Sequence, residues 1–164
     1  MKKLLATAVI LTFTLAAYSQ SMRIAYIDSD SALKAVSGYE QNIASVESFS
    51  EEVQNEVEAL GKQFESKLAE YQNAYGRLSE QERQTNEQAL AKMEESIRTK
   101  QENGQKQLQE KQQELMEPLY KRLDEAISAV AENGEYDFVV GQDVFLYAKI
   151  EHDITAQVIA LLKK

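Results

Sequence analysis

The chain has 164 residues, 18 Lys and Arg against 27 Asp and Glu, a formal charge of −9 and no cysteine. That length allows one compact domain, or a small body with an extension. The negative charge makes nucleic acid an unsuitable partner, because phosphate binding needs a basic face. The lack of cysteine excludes disulfides, thiolate metal sites and cysteine nucleophiles.

Lys2 and Lys3 precede Leu4 to Ala17, an uncharged and mostly apolar run of 14 residues. Ala17-Tyr18-Ser19 supplies small residues after it. This is the pattern of a cleavable signal peptide over residues 1–19, cut near Ser19 or Gln20. The run is short against the ~20 residues that span a bilayer. Without the two lysines the mature chain carries 16 basic and 27 acidic residues, a net −11. The style of the segment suggests a bacterial periplasm.

Arg23 to Asp28 is β-prone and apolar on both faces, so it reads as a buried strand. Ser29 to Val36 suits a short helical turn, which Ser37-Gly38 breaks.

A long helix is predicted from Tyr39 or Glu40. Its apolar positions are Ile43, Val46, Phe49, Val53, Val57, Leu60, Phe64, Leu68, Tyr71, Tyr75 and Leu78. Ten steps cover 35 residues, a mean of 3.5, the coiled-coil period. So narrow a stripe covers one partner helix. Gly76 can end this helix in the left-handed conformation. Ser79 and Glu82 fit a capping box that starts the next helix. The connection is short, so the two helices must run antiparallel.

The second helix is predicted from about Glu80 to Glu132, with a seam of Leu90, Met93, Ile97, Leu108, Leu115, Leu119, Leu123, Ile127 and Val130. Between Arg98 and Glu114 only Leu108 is large and apolar, and Gly104 lies in that gap. A glycine there costs about 1 kcal/mol relative to alanine, so the outer arm is expected to be weakly held. Pro118, the only proline, should bend or divide the helix and marks the joint between arm and body. Asn133-Gly134 ends the helix. Tyr136 to Val140 and Phe145 to Lys149 read as strands around a Gly141-Gln142-Asp143 turn. Asp153 then caps a last helix, Ile154 to Leu162, with Lys163 and Lys164 at its negative end.

The expected organisation is α+β: a helical hairpin arm over residues 39–117 on a small β-body formed by residues 20–38 and 118–164. So small a body is marginal alone, and its apolar strands leave an edge open. An obligate oligomer is therefore expected, with Ile24, Tyr26, Phe138, Val140, Phe145 and Tyr147 in its interface. Tyr71, Tyr75 and Met93 are arm residues that could exceed the needs of the seam and contact a partner. No catalytic, metal or cofactor site is expected. His152 is the sole histidine, nothing pairs Asp28 or Asp30 with a nucleophile, and there is no phosphate-binding loop.

Ile24-Ala25-Tyr26-Ile27-Asp28, Pro118-Leu119-Tyr120 with Leu123 and Ala126-Ile127, Ala131 to Val140, and Asp153-Ile154-Thr155 flank a charged hairpin in this order. In this the chain resembles the Skp/OmpH family of periplasmic chaperones over essentially its whole mature length. The resemblance implies a homotrimer with a small β-barrel made by three chains. It also implies three arms around a cavity that holds unfolded outer-membrane proteins without ATP. The best-known members are basic, and their cationic arms are credited with binding lipopolysaccharide. Here residues 40–117 carry 9 basic and 17 acidic side chains, a net −8. No lipopolysaccharide site is therefore carried over, and contact with an anionic membrane should be weak.

Two other readings compete. A structural coiled-coil protein of the cell envelope would need a stiff, continuous seam. A transporter adaptor would need glycine-rich lipoyl-like strands on both sides of the hairpin, for which this chain lacks the length.

Overall fold

The computed structural model describes residues 22–163; the signal peptide expected over 1–19 and Lys164 lie outside them. In chain order the elements are β1 (Ile24–Ile27), α1 (Ser29–Lys34), α2 (Tyr39–Ala74), α3 (Glu80–Asn133), β2 (Phe138–Gly141) and α4 (Thr155–Leu162). The protein is mostly helical, with two long helices and a two-stranded sheet. No helix among the described residues is long and apolar enough to cross a membrane.

The chain turns from β1 into α1 through Asp28, whose side chain accepts from the Ser31 amide at 3.0 Å and the Ser31 hydroxyl at 2.6 Å. These bonds hold the Asp28 carboxyl below its usual range, the hydroxyl bond most of all. Asp28 is thus a helix cap. Gly38 has φ +93°, a left-handed geometry that suits glycine, and opens α2.

Helices α2 and α3 pack as an antiparallel hairpin whose connection is one 3-10 turn, Tyr75–Arg77, followed by extended Leu78. Gly76 lies inside that turn and does not adopt the left-handed conformation expected of it; the chain is reversed instead by Leu78 at ψ 142°. The capping box is present. Ser79 Oγ accepts from the Glu82 amide at 3.3 Å, and Glu82 Oε2 accepts from the Ser79 amide at 2.8 Å. No residue of α2 is fully buried. Its stripe from Ile43 to Tyr71 is half-buried at every position, as two helices alone can achieve.

Helix α3 runs unbroken through Pro118, so the proline does not divide it. Pro118 is exposed, and water can therefore hydrate the Glu114 carbonyl that it leaves without an amide partner. From Met116 onward α3 enters the core. Met116, Leu119, Leu123, Ala126 and Val130 join Ala25, Ile27, Leu33, Val36, Ile154, Val158 and Leu162 in one buried cluster. Two polar ties fix the hairpin base to this core: Asn42 Nδ2 donates to the Leu115 carbonyl at 2.6 Å, and Arg122 to the Ser37 carbonyl at 3.3 Å.

Gly134 follows α3 in a right-handed conformation, and the left-handed residue is Glu135 at φ 51°. Glycine is needed at 134 for another reason. A Cβ there would overlap the Tyr136 ring, which folds back over the helix end.

Strands β1 and β2 are parallel, pairing Ile24 with Phe138, Ala25 with Val139, Tyr26 with Val140 and Ile27 with Gly141. Asp137 locks the start of the pair: its amide donates to the Arg23 carbonyl at 2.8 Å, and its carboxylate accepts from the Arg23 amide at 2.6 Å. The expected strand over Phe145–Lys149 is not formed. A 3-10 turn spans Gln142–Val144, another spans Ile150–His152, and the residues between have no strand partner among the described residues. An apolar run becomes a strand only where its amides are paired, and this one pairs with neither β1 nor β2, although β2 has a strand neighbour on one side only. The last helix starts at Thr155 with Ile154, not Asp153, as its N-cap residue; Asp153 lies one residue earlier, its Oδ1 accepting from the Thr155 amide at 2.8 Å.

Candidate functional site

The two faces of the sheet differ. Ala25 and Ile27 point inward and are buried under α3 and α4. Ile24 and Tyr26 alternate with them, and their register partners Phe138 and Val140 share the outward face. Nothing among the described residues covers that face fully. Phe138 is 54% exposed, and beyond it the chain presents Tyr147 at 83% and Leu146 entirely. Tyr26 and Phe145 meet edge to face at 6.1 Å between ring centres. Around them lies a cleft of about 370 Å³ lined by Ile24, Tyr26, Phe145, Tyr147 and His152 among others. The six residues singled out from the sequence therefore lie on or beside one outward apolar surface. Val144, Leu146 and Ile150 are also exposed in the adjoining stretch of chain. Sequence reasoning missed these three, although Val144 to Tyr147 is apolar at every position and so could not be buried by alternation.

A second group lies at the far end of the hairpin. Tyr71 and Tyr75 pack edge to face at 5.6 Å. Tyr71 donates its hydroxyl to Glu87 Oε1 at 2.7 Å, and that bond to a carboxylate, with some desolvation, pushes the phenol up to about 12. The Arg83 guanidinium sits over the Tyr75 ring at 4.5 Å, a cation–π pair. Tyr75 remains 47% exposed, whereas Tyr71 and Met93 are half-buried. Tyr71 and Tyr75 are thus neighbours, and Met93 sits farther down the seam. Arg83 and Glu87 were not foreseen; their only sequence signal is their place opposite the tyrosines once the turn is set at Tyr75–Arg77.

The apolar gap in the α3 seam is filled by unexpected residues. Gly104 is buried against Val53, whose Cγ1 occupies the space of a Cβ. Lys100 pairs with Glu56 across the hairpin, and Lys111 lies over the Phe49 ring at 5.6 Å. These lysines bring alkyl stems to the seam while their charges stay in water.

None of these surfaces brings an acid, a base and a nucleophile together in a closed pocket, the arrangement that general acid–base or covalent catalysis needs. They are suited to contact.

In fold, the chain is similar to a protein from Caulobacter crescentus described as a candidate outer membrane chaperone (OmpH-like). The TM-score is 0.74 and the identity 15%, over 89% of this chain and 90% of the other. Among curated proteins none matches in sequence. The family described as outer membrane protein (OmpH-like) matches residues 23–162. With nearly all of the described residues inside that match, the chain belongs to the OmpH-like family.

Proposed function

We propose that this protein is a periplasmic holdase chaperone that works without ATP. Three copies join through the outward sheet face, and their hairpins surround a cavity that keeps unfolded outer-membrane proteins soluble. The observation that carries this reading is the uncovered apolar face at the base of a long polar hairpin. A lone chain leaves Phe138, Leu146 and Tyr147 in water, a patch of the kind that marks an interaction surface. Joined copies would bury it and give the unpaired Phe145–Lys149 segment a strand edge to complete. On this reading residues 20–38 and 118–164 form the body, residues 39–117 the arm, and Pro118 the joint.

The arm contributes weak, repeated contacts. Many loose contacts retain a client by avidity while each one exchanges. Tyr75, exposed at the tip, is a client contact, with Tyr71 and Met93 beside or below it. The net −8 of residues 40–117 favours client segments of positive charge and gives retention a salt dependence.

The experiment is to dilute an unfolded outer-membrane β-barrel protein from urea into the protein without nucleotide and follow turbidity. Suppression of aggregation supports the holdase; aggregation unchanged from buffer alone overturns it. A second reading, a structural coiled-coil protein of the envelope, draws on the half-buried α2 seam and the packing of Gly104 against Val53. It predicts a stable assembly with no effect on the client.

A further inference from the structure

The two sides of the hairpin differ at the level of Gly104. On one side the Lys100–Glu56 pair and Lys111 over Phe49 bridge the seam, and the clefts there are lined by charge, Glu51, Glu52 and Glu56 in one and Glu52 with Lys111 in the other. On the other, a groove of about 510 Å³ runs along the seam, within the range of volumes that hold ligands. Its apolar floor is Val53, Val57 and Leu108, with Gly104 at the centre, and its rim carries the amides of Gln54, Gln101 and Gln105. Gly104 creates it: without a side chain there, Val53 drops into α3 and the flanking glutamines stand apart. Along α2 the groove extends from Ser50 to Glu58, roughly 12 Å of helix, which seats about four residues of extended chain.

We propose that this groove binds an uncharged, extended segment of unfolded polypeptide, which rests on the holdase reading above and assigns a place on the arm where a client is held. The chemistry selects the occupant. A segment with apolar side chains at every second residue lays them on Val53, Val57 and Leu108. Its backbone then offers donors and acceptors to the three amides, each of which supplies both. Charge selects as well. The arm is net −8 over residues 40–117, yet the only charged residue lining this groove is Glu58, and it is paired with Lys62. Where positive segments of a client meet the acidic faces of the arm, a neutral stretch between them is what this electrically quiet strip complements. Unfolded strands of outer-membrane barrels have this alternation.

The test uses the full mature chain and an unfolded outer-membrane β-barrel protein diluted from urea. Gln101→Glu with Gln105→Glu places two charges on the rim. Asn103→Asp with Gln107→Glu adds the same charge at exposed positions outside the groove. The groove pair should weaken client affinity about tenfold, and the control pair should leave it near the parent value. Because the chain has no cysteine, Gln105→Cys and Gln107→Cys can each carry one photo-cross-linker on an otherwise parental arm. Gln105→Cys should capture client in clear excess. Equal affinity in both charge pairs, or equal capture at both cysteines, overturns the groove while the holdase reading stands. Failure of the parent chain to keep the client soluble overturns both.

Discussion

Gly104 and Val53 face each other across the hairpin, and a Cβ on Gly104 would overlap Val53 Cγ1. Valine in a helix keeps one strongly preferred rotamer, so the methyl cannot turn aside. A substitution that normally stabilises a helix should therefore not do so here. Gly104→Ala gains about 1 kcal/mol of helix propensity but costs about 1–3 kcal/mol in overpacking. Its melting temperature should not rise above the parent's. In a Val53→Ala background the same change should stabilise by about 1 kcal/mol. Thermal unfolding of the four proteins measures this reversal of sign.

The hairpin turn rests on the capping box of Ser79 and Glu82. Ser79→Ala should cost about 1 kcal/mol. The Ser79 hydroxyl first, and its amide second, hold the Glu82 carboxyl below its ordinary value of 4.5. A carboxyl lowered by folding stabilises the folded state above its unfolded value, and that contribution fades as pH falls through the folded value. Glu82→Gln should therefore be less stable than the parent at neutral pH, with the difference shrinking below about pH 4.5. Helicity followed during acid titration checks this.

Tyr71 gives the opposite sign. Its bond to Glu87 raises the phenol from 10.0 to about 12, so its stabilising effect is complete below pH 10 and is lost as pH rises toward 12. In a spectrophotometric titration of the tyrosines, Tyr71→Phe should remove an ionisation near pH 12. Glu87→Gln should shift that step downward. A Tyr71→Phe titration that keeps the step would show that the bond is absent in solution.

Phe138 and Tyr147 are exposed at 54% and 83% and contribute nothing to the buried cluster of their own chain. Phe138→Asp with Tyr147→Asp should leave the helical content intact and cost the proposed trimer about 2 kcal/mol or more per chain. Sedimentation over a concentration series should then show dissociation. A double variant that assembles like the parent would move the interface elsewhere.

Much of the fold was legible because its signals are local. The 3.5-residue stripe from Ile43 and the Ser79–Glu82 box each depend on residues within a few positions. What was not legible depends on tertiary partners. Phe145 to Lys149 has strand composition but pairs with no strand among the described residues. The left-handed residue after α3 is Glu135 and not Gly134, where a Cβ would meet the Tyr136 ring. The gap between Arg98 and Glu114 looked empty because lysine stems and a glycine do not register as seam residues, yet Lys100, Gly104 and Lys111 occupy it. The apolar residues of the outward sheet face were legible by type, since Ile24, Tyr26, Phe138 and Tyr147 exceed what so small a body can bury.

The central claim is that the outward sheet face joins three chains into one body that presents its arms to a client. Light-scattering mass of the protein lacking residues 1–19, alone and after dilution of an unfolded outer-membrane β-barrel protein into it without nucleotide, tests this most directly. The account predicts the mass of three chains, then a soluble complex of defined larger mass. A mass of one chain at working concentration, or a trimer beside a client that precipitates, would contradict it.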